Sequence, residues 1–199
     1  MTMDDILTKI AQIEARQTEV PAFAVLVPLI KKADGWHVLF QVRAKQMHIQ
    51  PGEVCFPGGH VELTDASLKH AAIRETVEEL GINEADISNV APLTYRHPAI
   101  AIAPFVGEIA ADAQMNPDAF EVDSVFTIPL HHLLNLSPQV HEVTLQPTPN
   151  DDFPYHLIQN GRDYKWLHRK MTVYFYEFED KVIWGLTADI LKTFLDALK

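Results

Sequence analysis

Three glutamates, Glu75, Glu78 and Glu79, crowd the end of the stretch LKHAAIRETVEELGI. At roughly 100° per residue they gather on one side of a helix. Like charges three and four residues apart repel weakly in solvent and more strongly in a drier cleft. A hard divalent cation that takes carboxylate oxygens, Mg2+ or Mn2+, reverses that sign. An acidic helix face is ordinarily just a solvated one, so the surroundings must decide. The chemistry such a cluster suits is hydrolysis of a phosphoanhydride, where charge spread over phosphoryl oxygens is stabilised and a water is delivered in line.

The elements that would position these side chains can be read around them. Val54-Cys55-Phe56 is a short strand running into Pro57-Gly58-Gly59, where glycine permits a sharp loop. Thr64, Asp65 and Ser67 are candidate helix N-caps, and Gly81 stands where a helix takes a left-handed terminal residue. The order is strand, glycine loop, helix. Ile73, Val77 and Leu80 fall on one helix face, predicted to meet the core, with the glutamates opposite. Ala71 and Ala72 are expected to leave that side of the helix open for a bulky ligand.

This segment, residues 59–82, resembles the Nudix box. Gly59, Arg74, Glu75, Glu78, Glu79, Gly81 and Ile82 match its pattern. Asp65 stands where the box has its first glutamate, eight residues instead of seven separate it from Arg74, and Thr76 fills a hydrophobic slot. The coenzyme A diphosphatase branch carries the same insertion, and its upstream signature is matched by Leu39, Arg43, His48 or a neighbour, and Gly52 to Gly59. The likeness covers residues 22–130 and recurs weakly in Trp184-Gly185-Leu186-Thr187-Ala188.

The resemblance implies a Nudix α/β/α sandwich, with a mixed sheet between the box helix and the C-terminal helix. It implies Glu75, Glu78 and Glu79 as holders of Mg2+ or Mn2+, with Arg74 orienting Glu75 or pairing with Asp65. Gly58 and Gly59 would let the backbone approach the substrate. Arg43 would neutralise a substrate phosphate, with Lys45 able to share that work. Glu53, Glu121 and Glu142 remain alternatives for a general base or extra ligand. The implied substrate is coenzyme A or an acyl derivative, cut to 3',5'-ADP and 4'-phosphopantetheine. The competing substrates are ADP-ribose, a dinucleoside polyphosphate or a nucleoside triphosphate. A non-catalytic nucleotide-binding regulatory module would be expected to lose box carboxylates, and all three are kept. Dimers are common in the superfamily.

Composition narrows the classes. The 199 residues suit one domain, 1–199, and 47% hydrophobic with 22% charged residues is ordinary for a globular chain. No run reaches the ~18 to 20 apolar residues of a membrane span. The start MTMDDILTKI lacks the basic region of a secretory signal. The single cysteine, Cys55, fits a reducing cytoplasm. A net charge of −11 speaks against nucleic-acid binding, and an anionic substrate must then be drawn in by local cations and metal.

Along the chain, Ile6, Leu7, Ile10 and Ile13 predict an amphipathic N-terminal helix within 1–20, able to supply a homodimer contact. Ala22 to Ile30 reads as a buried strand, with Pro28 marking an edge or bulge. An Asp-Gly turn leads into a strand over Trp36 to Val42. Ile87 to Thr94 and Ala99 to Ile109 read as strands broken at Pro98 and Pro104, with Tyr95, Arg96 and His97 in the loop between. A short helix is expected at Leu130 to Leu136, then a long connection, 137–163, containing one strand around Val140, Val143 and Leu145. A strand at Met171 to Phe178 precedes a final helix capped by Thr187, with Ile190, Leu191, Phe194 and Leu198 as its apolar stripe.

Overall fold

The structure is a computed structural model that describes residues 22–97 and 99–199. The helix expected at 1–20 lies outside the described residues. β1 (Phe23–Lys32) and β2 (Gly35–Arg43) form a hairpin whose arms pair only near the turn, from Leu29↔Val38 to Lys32↔Gly35. Beyond that the arms diverge, and β3 (Val54–Cys55) and β4 (Gly58–His60) occupy the space between them. β3 pairs with β2, and β4 with the start of β1. Gly58 and Gly59 are therefore part of a strand and not the free loop expected. A Cβ at Gly58 would lie 2.4 Å from the Ala24 carbonyl oxygen, so only glycine admits so close a contact with β1.

β6 (Ile102–Ile109) runs parallel to β1 on its other side and carries β5 (Ile87–Pro92) outside it, while β7 (Val122–Pro129) pairs along β2. Together these seven strands make one mixed sheet. Pro28 sits inside central β1, not at an edge or bulge. Leu26 donates its N–H to Pro57, so residues of that parity face the β2 and β4 side. Residue 28 falls between the two partners, where a missing N–H breaks no ladder bond. Pro104 likewise lies within β6 and does not break it. Its carbonyl accepts from Leu93, just past the end of β5.

Helices cover both faces. α1 (Leu68–Leu80) packs Ala71 and Ala72 on Ala24, Leu26 and Phe105, and Leu80 among Ile30, Leu39 and Ile109. On the opposite face, Val27, Val38, Phe40 and Ile128 meet Leu133 of α2 (Leu130–Asn135) and Ile190, Leu191 and Phe194 of α3 (Gly185–Ala197). A second, three-stranded sheet joins this side. In it β9 (Arg169–Phe178) lies between β8 (Gln139–Leu145) and β10 (Lys181–Trp184), and it sends Tyr176 and Ile183 into the same core. In α3 the stripe differs from expectation at its end: Leu195 is buried and Leu198 is 50% exposed, because the helix stops at Ala197. Trp184, not Thr187, is the N-cap residue, and no side chain caps it.

Candidate active site

Ser67 caps α1 by accepting from the His70 N–H at 3.1 Å, and Gly81 ends it with φ +59°. Both ends follow the residue types. The buried face does not follow expectation: Ala71, Ala72, Thr76, Glu79 and Leu80 are buried, while Ile73 and Val77 are only partly so. Two alanines let the helix backbone settle close against β1, and that contact fixes the roll of the helix. They are core residues, not an opening for a ligand. Thr76 tolerates burial because its hydroxyl donates to the Ala72 carbonyl at 2.7 Å.

The roll turns Glu79 inward, separating it from the opposite-face cluster expected. Glu79 is 4% exposed, and its Oε2 accepts from the Gly58 N–H at 2.8 Å and from Gln41 Nε2 at 2.9 Å. Burial pushes its carboxyl up to about 7 against those two hydrogen bonds, with the charges of Glu75 and Glu121 adding to the rise. Glu75 is partly buried beside it, and burial raises its carboxyl too, with Arg74 opposing. Gly59 faces that carboxylate so closely that a Cβ would lie 2.5 Å from its carboxyl carbon. Glu78 is the exposed member.

Arg74 organises the flank. Its Nε and Nη2 grip Asp65 at 3.0 and 3.1 Å, Nη2 also donates to the His60 carbonyl at 3.0 Å, and Nη1 lies 2.9 Å from Glu75 and 3.0 Å from Glu78. It thus both pairs with Asp65 and meets Glu75. The guanidinium holds the Asp65 carboxyl well below the usual carboxylate range. Because Arg74 draws Glu75 and Glu78 to itself while β4 and Gln41 draw Glu79, no three His, Cys, Asp or Glu side chains converge on one point among the described residues.

The donor set nevertheless fits a hard cation. Two carboxyls sit side by side with raised affinity for protons, so a positive charge placed between them relieves the same repulsion and burial penalty that a proton does. The cradle against Gly59 has room for a carboxylate and not for a Cβ.

The other expected site residues fall as follows. Arg43 ends β2, its Nε donating to the Ile49 carbonyl at 3.1 Å, and its backbone is tied to Gly52 and Glu53. Glu121 immediately precedes β7, near enough for its charge to raise both Glu75 and Glu79. Glu53 lines a cavity on the side of β2 away from Glu79. Glu142, on β8, pairs with Lys170 at 2.6 Å in the second sheet. Cys55 sits beside Gln41, its thiol pushed up to about 11 by burial and then by Glu79, which leaves it protonated and unreactive. Tyr95 donates to Asp189 of α3 at 2.6 Å, and His97 Nδ1 accepts from the Ala99 and Ile100 N–H groups.

Gln41 is the site residue that sequence reasoning missed. The signal was one amide in the otherwise apolar run VLFQV. It is 1% exposed, and its Oε1 has no hydrogen-bond partner among the described residues.

A family model described as NUDIX domain matches residues 20–150. The chain belongs to the Nudix family. As a Nudix hydrolase it is an enzyme acting on acid anhydrides in phosphorus-containing compounds. It is 33% identical over 145 residues to a protein of Mus musculus named Peroxisomal coenzyme A diphosphatase NUDT7, a match covering 71% of this chain and 56% of that one. It is 31% identical over 199 residues to a protein of Enterobacter sp. (strain 638) named Uncharacterized Nudix hydrolase NudL, covering 96% of this chain and 92% of that one. The chain thus spans little more than half the length of the mouse relative. A crystal structure of an Ap4A hydrolase from C. elegans is similar at a TM-score of 0.44 and 21% identity, over 57% of this chain and 83% of that one. Among the described residues, no helix of this Nudix protein is long and apolar enough to cross a membrane.

Proposed function

We propose that this Nudix hydrolase cleaves the diphosphate of coenzyme A or an acyl-coenzyme A, giving 3',5'-ADP and 4'-phosphopantetheine or its acyl form. The observation that carries the proposal is the pair of carboxyls, partly buried Glu75 and buried Glu79, packed against the glycine backbone of β4. The narrower choice of substrate is supported by the signature from Leu39 through Gly59, which lies along β2, β3 and β4 next to that pair, and by the name of the mouse relative.

Mg2+ or Mn2+, when bound, supplies the positive charge that neutralises phosphoryl oxygens, and Glu75, Glu78 and Glu79 are the residues that would hold it. Gly58 and Gly59 keep the backbone close to the carboxyls that flank the diphosphate, Gly58 by donating its N–H to Glu79 and Gly59 by leaving room for Glu75. Arg74, fixed by Asp65, keeps Glu75 and Glu78 on one flank. Arg43 offers a guanidinium whose Nη groups are suited to a phosphate while Nε stays on Ile49. Glu121 is the carboxylate outside the box proposed to orient or deprotonate the attacking water, with Glu53 set aside because it lines the cavity on the far side of β2 and Glu142 because it is paired on the outer strand. The whole of 1–199 is proposed to act as one domain on a small nucleotide substrate.

The test is a panel of coenzyme A, acyl-coenzyme A, ADP-ribose, a diadenosine polyphosphate and nucleoside triphosphates, each with Mg2+ or Mn2+. Coenzyme A compounds are expected to give the highest kcat/KM. Efficient cleavage of another member with coenzyme A left intact overturns the substrate. Glu78→Gln and Glu79→Gln are each expected to lower turnover by about 10-fold or more. Unchanged turnover in both overturns the metal-site assignment.

A further inference from the structure

The cavity that Glu53 lines has a volume of about 460 Å3 and lies between the β2–β3 edge and the β9–β10 hairpin of the second sheet. Its walls are Val42 and Val54 on one side and Phe175, Val182 and Trp184 on the other. The catalytic carboxyls do not reach it. Gln41 and Cys55 point toward Glu79, so their neighbours Val42 and Val54 point the opposite way.

Trp184 gives the cavity its character. The indole is 41% exposed, an unusual state for the largest apolar side chain. One face is covered by the Phe175 ring, nearly parallel at 9° and 5.8 Å, which holds the indole flat. Phe175 and Trp184 are direct cross-strand partners, so this orientation is set by the β9–β10 register. At the rim stand two carboxylates, Glu53 and Asp180, and one ammonium, Lys181. A rigid aromatic wall with hydrogen-bond acceptors at its edge matches a planar base that carries an exocyclic amino group.

Its place relative to the candidate active site fixes which part of a substrate it can take. Val42 and Glu53 are cavity residues. Arg43 follows Val42, donates its N–H to Glu53 at 2.9 Å and accepts from Gly52 at 3.0 Å. A phosphate held by Arg43 therefore stands one residue from the cavity lip. Asp180 is already paired with Lys181 at 2.8 Å. An apolar tail would gain from the valines but give the half-buried Glu53 carboxylate no donor, whereas an adenine amino group donates to it.

We propose that this cavity is the adenine subsite of the enzyme, with the base stacked on Trp184 and its amino group turned to Glu53 at the rim. The inference rests on the reading of the protein as a hydrolase of an adenine-containing diphosphate. It assigns a role to the Trp-Gly-Leu-Thr-Ala segment that the box chemistry leaves unused.

The test reads binding apart from turnover. In a Trp36→Phe, Trp166→Phe protein, Trp184 is the sole indole of the three in the chain. AMP, titrated without divalent metal, is expected to quench its fluorescence saturably, whereas ribose 5-phosphate and pantetheine are not. Quenching by pantetheine but not by AMP, or no response to AMP at millimolar concentration, overturns the proposal. These outcomes do not depend on whether coenzyme A is hydrolysed. In the catalytic assay, Trp184→Ala is expected to raise KM for whichever adenine substrate the panel identifies by ~5- to 150-fold, the range for one lost base–aromatic stack, with kcat little changed. Trp184→Phe is expected to restore most of that loss. An unchanged KM in a folded Trp184→Ala protein also overturns the proposal.

Discussion

Glu79 ties stability to pH in a definite direction. Its carboxyl stands at about 7 in the folded protein, against ~4.3 for a free glutamate, so the native state keeps a proton that the unfolded chain releases. Stability from this group is therefore full below ~4 and is lost as pH rises toward 7. Asp65, depressed by Arg74, acts in the opposite sense: its contribution is present above ~4 and is lost as pH falls through its lower folded value. In metal-free protein at pH 8, Glu79→Gln is expected to raise stability by up to about 3 kcal/mol, an advantage that shrinks as pH falls and closes below ~4. Calorimetry with a chelator present reads this directly, and equal melting temperatures at pH 8 would contradict it. The same variant loses turnover, so the stability and activity of one side chain run in opposite directions. The identity of Glu79 as a special residue was legible from its spacing to Glu75 and Glu78. Its burial was not, because nothing local announces that an amide from β4 and the side chain of Gln41, far away in sequence, will receive it.

At the scale of elements, two adjacent glycines separate structure from function. Gly58 has φ +147° and backbone atoms of Ala24 and Val25 where a Cβ would go, whereas the atoms nearest a Cβ at Gly59 are the carboxyl end of the flexible Glu75 side chain. Gly58→Ala is expected to cost ~2 kcal/mol or more, by wedging β4 from β1. Gly59→Ala should leave stability within about 1 kcal/mol and lower kcat/KM by about 10-fold or more, by pushing Glu75 out of its cradle. Urea denaturation beside steady-state kinetics separates the two, and matched losses in both variants would remove the distinction. The ends of α1 could be read from Ser67 and Gly81, since capping is a local matter of residue type. Its roll could not. Periodicity weighs Ile73 and Val77 above alanine, while close approach of helix to sheet favours the smaller residues, and here packing prevailed.

For the whole molecule, the division between a closed core and an open second sheet sets where the chain yields first. β1, β2, β3, β5 and β6 of the mixed sheet were legible as apolar or β-rich runs, but β4, read as a loop, was not, and neither was the pairing of β8 with β9 across a long polar connection, because pairing over such a distance is a tertiary property. Every residue of β8 is exposed, and none between 146 and 168 is buried. The aromatic contacts of that stretch are local, Phe153 with Tyr155 and Trp166, and Trp166 with Tyr164. Opening it exposes little apolar surface, so its local unfolding free energy lies far below that of the sheet holding Leu26, Phe40 and Ile128. Native-state proteolysis is therefore expected to cut within 146–168 before any site between 22 and 138. The two fragments should remain associated, since β9, β10 and α3 contribute Tyr176, Ile183 and Phe194 to a core that β1 and β2 also build. A first cut between 44 and 67 would instead mean that the Arg43 to Gly59 segment is the weaker one. Activity retained by the nicked, associated protein would further place 146–168 outside the catalytic assembly, whereas loss of activity on nicking would make that stretch part of substrate binding.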